Sequence, residues 1–492
     1  MGRIVASYLF PHPPVIVPGV GKGREEEARP TLDAMRRAAR GIAARQPDVL
    51  LLMTPHAPAY GDYFRIDAPA ELAGDLRSFG DRSPSLRFAG HAALAELLAQ
   101  EAGRDALPAG PPLGSREARD AGVLDHGAVV PLRFLAEACG DGPRPALVRL
   151  SISGFDLASH YRYGQAAQRA VARLPDQDGR AVRVAAIASG DLSHCLKTEG
   201  PYGFDPEGPR FDALVDEAFR RADPAPLLRL TGRQREAAGE CGLRSVVFLF
   251  GALDGRALRG EVLSHEGPFG VGYCIACLED VGEAPSRLPA IEADEAEAGR
   301  ARREKEGPLV ALARAALERR IRGGKRIAPG EALEAARAAE ERTRAADAAE
   351  QRALLGRPAG CFVSLHSPDG SLRGCIGTVF PQKEDLAREI AANAESAALR
   401  DPRFPAVRAE ELDGLSMTVD VMGAPEPVAS PAELDAVRYG VIVRKGFRSG
   451  LLLPDLEGVG SVAEQLSIAL RKAGIGPDED YAIERFSSRR FA

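Results

Sequence analysis

Three of the chain's eight histidines sit in equivalent places. "RIVASYLF" runs into "PHPP" at His12, "DVLLLM" into "TPHAP" at His56, and "AVRVAAIAS" into "GDLSH" at His194. Neutral imidazole carries a lone pair and titrates near neutral pH, so such residues suit metal ligation or proton transfer. One histidine after an apolar run is more often structural than chemical; three together point to a site. A fourth, His126 in "LDHGAVVPL", opens a predicted helix with Asp125 as its cap. Glu240, in the glycine-bounded "GECGLRS", supplies a carboxylate. Two histidines and one carboxylate form a facial triad that leaves positions open on a non-haem Fe(II). Open positions allow a catechol to chelate beside O2, so that the metal holds both reactants together. A histidine can then take the phenolic proton and return it. His194 suits that role, with Asp191 three residues earlier to orient it or a ligand.

The elements that must position these residues are legible as well. Each of the three apolar runs is short and bounded by Gly or Pro, the pattern of a strand buried on both faces. Between them lie helical patterns such as "REEEARPTLDAMRRAARGIAAR", "AALAELLAQEAG" and "FDALVDEAFRRAD". Strands alternating with helices predict an α/β fold with a mostly parallel sheet flanked by helices. Ligands of such sheets bind at the carboxyl ends of the strands, where these histidines fall.

Composition narrows the function classes. The net charge is −6, which argues against a nucleic-acid partner or an anionic membrane surface. The longest apolar stretch, "SVVFLFGAL", is about half of a membrane span. The first residues lack the pattern of a signal peptide. Seven scattered cysteines, an odd number, suggest reduced thiols and a cytoplasmic setting. Cys274 and Cys277 form a C-x-x-C, but within a strand pattern that points them to opposite faces. "GVGKGR" lacks the spacing of a phosphate loop. His91, His160, His265 and His366 read as surface or satisfied structural residues.

One stretch divides the chain. Residues 279–307 are rich in Glu, Ala and Arg and poor in large apolar residues, the composition of a partly helical, solvated linker. A domain over 1–278 precedes it, and a second, smaller α/β domain over 308–492 follows.

In order, "FPHPPVIVP", "TPHAPAYGDYFRI", "LDHGAVVPL", "ASGDLSH", "GECGLRS" and "GPFGVGY" resemble the class III (LigB-like) extradiol ring-cleavage dioxygenases and the related Memo proteins. The resemblance implies that His12, His56 and Glu240 hold Fe(II), with Zn, Mn or Cu as alternatives. It further implies His194 as acid/base and His126 as support for substrate or oxygen. Memo-like members carry a cysteine near the third-ligand position, and Cys241 stands beside Glu240. A small aromatic substrate and O2 would be the reactants; the sequence leaves the oligomeric state open, with a symmetric homodimer as the commonest default.

In the second part, "SLRGCIGTV" and "DPRFPAV" resemble the AMMECR family. Two hairpins are expected, one turning at "SPDG" and one at "RKG". Cys375 invites a nucleophile reading but reads first as a small buried residue of a strand, and Arg373 as lining for an anion groove. The pairing of the two domains implies an alternative role: a metal or redox partner of a radical enzyme in a modification pathway, without ring cleavage.

Overall fold

Apolar runs without polar alternation can only be satisfied by burial on both faces. The structure, a computed structural model, describes residues 1–454, 459–476 and 478–492. These form two compact units, Met1–Ile291 and Glu292–Ala492. The strands of the first are β1 (Arg3–Phe10), β2 (Val49–Thr54), β3 (Phe64–Asp67), β4 (Glu71–Gly74), β5 (Leu86–Ala89), β6 (Ala109–Gly110), β7 (Ala146–Ser151), β8 (Arg183–Ser189), β9 (Arg256–Glu266) and β10 (Tyr273–Glu283). Apart from the separate β4–β5 pair, they make one sheet of order β6-β3-β7-β2-β8-β1-β10-β9. Strands β7, β2, β8 and β1 run parallel, and β10 and β9 add an antiparallel ribbon. This is the expected α/β class.

Alternation along each run sends neighbouring side chains into different cores. Tyr8 and Phe10, Leu50 and Leu52, and Ala185 and Ile187 face a core shared with the helices Arg29–Ala44 and His126–Cys139. Leu9, Leu51, Met53, Ala186 and Ala188 face the opposite side, towards the helices Leu157–Ala172 and Leu243–Gly251. Burying each aliphatic side chain contributes roughly 1.5–3 kcal/mol. Because β1, β2, β7 and β8 are parallel, their carboxyl ends lie along one edge, and the loops that leave it carry His12, His56 and His194. Cys274 belongs to one core and Cys277 packs against the other, so the C-x-x-C is split as expected.

The expected linker is largely regular: β10 continues to Glu283, and a helix spans Leu288–Arg303. The second unit contains β11 (Cys361–His366), β12 (Leu372–Gly377), β13 (Ser416–Met422), β14 (Glu426–Val428), β15 (Tyr439–Lys445), β16 (Arg448–Leu452) and β17 (Ala482–Phe491). Its antiparallel sheet has the order β12-β11-β13-β17-β15-β16, with β14 on β17. Both expected hairpins form, β11 with β12 and β15 with β16. The second turns at Gly446, whose φ of 57° suits glycine. Val363, Leu365 and Val419 form a core with the helices Pro308–Gly323 and Leu386–Leu399. Among the described residues, no helix is long and apolar enough to cross a membrane.

Candidate metal centre

His12 leaves β1 after two residues and is 1% exposed. Its backbone N–H donates to Asp191 Oδ1 at 2.8 Å, joining the loop after β1 to the loop after β8. Its Nδ1 lies 2.9 Å from Ser189 Oγ, the last residue of β8. Ser189 spends its only proton on Gly127 O. The hydroxyl oxygen must therefore accept from His12 Nδ1–H, which leaves Nε2 with its lone pair. That nitrogen points at His56 Nε2, 2.9 Å away. His56, in contrast, is solvent-exposed, so the pair has one sealed side and one open side.

The third member is Cys241. Its Sγ lies 3.6 Å from His12 Nε2, and among the described residues His12, His56 and Cys241 form the group that could hold a metal ion. Glu240, expected as the third ligand, is turned elsewhere: its Oε2 accepts the Leu243 backbone N–H at 2.8 Å at the start of the helix Leu243–Gly251. The reason is local. A glutamate just ahead of a helix meets unsatisfied N–H groups and a favourable helix dipole. Cys241, one residue on, points towards the imidazoles instead. Its loop is held close to the loop after β8, since a Cβ on Gly190 would sit 2.1 Å from Gly242 Cα.

The two remaining histidines lie nearby. His126 opens its helix with Asp125 as cap, Oδ1 accepting Ala128 N–H at 3.2 Å, and stacks on His56 with ring centroids 4.3 Å apart. His12 and His126 are 5.5 Å apart in an edge-on arrangement. His194 has Tyr202 beside it at 5.0 Å. Asp191 does not orient His194; it holds the His12 backbone. The other four histidines are occupied elsewhere. His91 caps the helix Ala92–Arg104, His160 accepts Ser153 N–H, His265 sits between Asp212 and Asp216, and His366 lies on β11.

Burial sets the charge of the site. It lowers His12 well below the usual imidazole range, with His56, His126 and His194 adding to the effect. It also lowers His56, His126 and His194. Imidazoles in this state are neutral at pH 7 and ready to ligate. Burial pushes Asp191 up to about 7, partly offset by the His12 N–H. The Cys241 thiol is pushed up by burial and then by Asp191 and Glu240, so it ionises readily only if a cation compensates.

These residues fit a metal. Nitrogen and sulfur ligands at about 2.0–2.3 Å around a tetrahedral ion stand about 3.3–3.6 Å apart. The 3.6 Å S–N separation meets that value, and the 2.9 Å N–N separation is slightly inside it. The fold is that of an α/β protein whose loops bring two histidines and one cysteine, a group that could hold a metal ion, to the carboxyl edge of a parallel sheet. The chain belongs to the LigB family, since the model for the catalytic LigB subunit of aromatic ring-opening dioxygenase matches residues 6–276. The AMMECR1 model matches residues 310–491. A protein of Clostridium acetobutylicum is 36% identical over 487 residues, 98% of each chain. A protein of Thermotoga maritima is 49% identical over 187 residues, covering 38% of this chain and 98% of its own. The crystal structure of an uncharacterized Pyrococcus horikoshii protein shares 33% identity over 37% of this chain and 88% of its own, with a TM-score of 0.31.

In the second unit the sequence candidates are engaged. Cys375 Sγ accepts Ser364 Oγ–H at 3.2 Å, and its backbone N–H donates to Asp401. Arg373 is held by Glu411 and by Pro405 O, so its guanidinium does not line an open anion groove.

Proposed function

We propose that the first unit is a metal-dependent centre of the dioxygenase superfamily in which the Cys241 thiolate takes the place of the carboxylate. The observation that carries this reading is the approach of Cys241 Sγ to His12 Nε2, with Glu240 committed to the Leu243 N–H. Thiolate with two imidazoles favours softer ions such as Zn(II) or copper over the Fe(II) of a two-histidine, one-carboxylate site. When bound, such an ion supplies Lewis acidity or electron exchange at an open coordination position. The chain itself contributes the sealed face at His12 and the open face at His56. His126 and His194, held neutral by burial, can take a proton from a small oxygen-bearing substrate that enters on the open side. This reading leaves room for a role beside a radical enzyme in a modification pathway.

The second reading is extradiol cleavage of a catechol with Fe(II) and O2. It is favoured by the two neutral histidines close to the ligand pair, which suit proton transfer to and from a phenol. One experiment separates the two. Protein loaded anaerobically with Fe(II), Zn(II), Mn(II) or copper is assayed for bound metal and, with a panel of catechols, for O2 uptake. Cys241→Ser and Glu240→Gln are run beside wild type. About one metal per chain, weakened by Cys241→Ser and retained in Glu240→Gln without ring-opened product, is the expected result. Loss of metal in Glu240→Gln, with catechol-dependent O2 uptake and a yellow product in wild type, would establish ring cleavage instead.

A further inference from the structure

Two arginines lie wholly inside the first unit. Arg65 on β3 and Arg149 on β7 are each 0% exposed, next to Asp67 at 1%. Charged groups in such a place are costly unless paired and hydrogen-bonded. Arg65 Nε reaches both oxygens of Asp67, at 3.0 and 2.8 Å, and Arg149 Nη2 also donates to Asp67. Arg149 continues towards the site: Nη1 donates to Val123 O at 2.6 Å and stands 3.6 Å from Asp125 Oδ2. That carboxylate oxygen is buried and has no hydrogen bond, so Arg149 is its compensating charge.

The other oxygen of Asp125 ties two histidine-bearing segments together. Oδ1 accepts Thr54 Oγ1–H at 2.7 Å and Ala128 N–H at 3.2 Å. Thr54 Oγ1 in turn accepts His56 N–H at 3.2 Å. The same turn holds His12, because Gly127 O accepts Ser189 Oγ–H and Ser189 accepts His12 Nδ1–H. Nothing larger than glycine fits at 127. A Cβ there would meet Thr54 Oγ1 at 2.5 Å, Asp125 Oδ1 at 2.9 Å and His56 Cδ2 at 3.4 Å.

We propose that Asp125 and Gly127 form the positioning hub of the metal centre, with Arg149 anchoring it, Thr54 fixing His56 and Ser189 fixing the His12 tautomer. The inference rests on the reading of His12 and His56 as metal ligands. None of these hub residues touches the metal or a substrate; each acts through a histidine. Partners of this kind commonly change metal affinity by about 10–100-fold when removed.

The test uses the full chain and two readouts. In metal-free protein with 15N-labelled histidine, NMR gives the tautomer of His12. Co(II) titration gives affinity, and the visible spectrum of the bound Co(II) gives ligand geometry. Wild type is expected to show His12 protonated at Nδ1, and Ser189→Ala to lose that preference. Thr54→Val is expected to bind Co(II) about 10–100-fold more weakly with an altered spectrum, and Thr54→Ser, which restores the hydroxyl, to recover within about threefold. Arg149→Met should follow Thr54→Val; if it does not fold, the threonine pair still decides. Wild-type affinity, spectrum and tautomer in both Thr54→Val and Ser189→Ala would overturn the hub. Absence of Co(II) binding in wild type would overturn the metal reading alone, because the tautomer of His12 in metal-free wild type and Ser189→Ala still tests the hub.

Discussion

Both units carry sulfur beside charged or polar groups, yet they dispose of them in opposite ways. At the carboxyl edge of the first sheet, His12 Nε2, His56 Nε2 and Cys241 Sγ converge to within 4.8 Å of one another. Around Cys375 the groups cancel in pairs: Ser364 with the thiol, Asp401 with Arg403, Glu411 with Arg373. The first arrangement holds unspent ligating capacity, and the second has spent it on internal bonds. Loops from separate parallel strands can bring unlike segments to one point, whereas neighbours on an antiparallel sheet meet their partners along the ladder. Convergence of unspent donors, more than the presence of reactive residue types, marks the candidate site.

The largest effect expected from breaking this contrast comes from His12→Ala or His56→Ala. Each should abolish stoichiometric metal binding, measured as metal content after gel filtration, while Cys375→Ala leaves it unchanged. Metal lost from Cys375→Ala would mean that the second unit holds the ion. Next in size is Gly190→Ala. Its Cβ would collide with the Gly242 backbone, which should push Cys241 away, weaken metal binding by at least tenfold and destabilise the fold by about 1–3 kcal/mol in a denaturant titration. Unchanged stability and affinity would show that the two loops are free to separate. Glu240→Ala should cost about 0.5–2 kcal/mol through loss of the bond to Leu243 N–H, with little change in metal affinity.

The smallest effect concerns pH. His265 is raised above its usual range, first by its hydrogen bond to Asp212, which also accepts the Ser193 N–H of the "DLSH" loop. Asp212 is raised by burial. A histidine raised on folding adds stability that is complete below its unfolded value near 6.5 and is lost as pH climbs through the folded value. The stability His265 adds should therefore shrink between pH 6 and 8.5, against the opposite trend of the site histidines that folding lowers, so the gap in melting temperature between wild type and His265→Asn should narrow by about 2 °C over that range. An unchanged gap would assign the dependence to other groups.

Much of this protein was legible from residue order. The apolar runs at β1, β2 and β8, the Asp125 cap and both hairpins of the second unit follow from local pattern, because burial periodicity and turn chemistry act over a few residues. The histidines at strand ends were legible for the same reason, since a parallel sheet makes its carboxyl edge predictable. Which of Glu240 and Cys241 faces the imidazoles was not. It depends on which side chain the helix Leu243–Gly251 captures through its first N–H groups. The arginines of "FRID" and "ALVRLS" did break their apolar runs, a signal that charge was needed inside. What that charge holds could not be read, because Arg149, Asp125 and Thr54 lie far apart in sequence and meet only when β2 and β7 pair. The sequence by itself determined the sheet, its edge and the residue types gathered there. Only the tertiary structure decided which lone pairs remain unspent, because that depends on hydrogen bonds between segments brought together by folding.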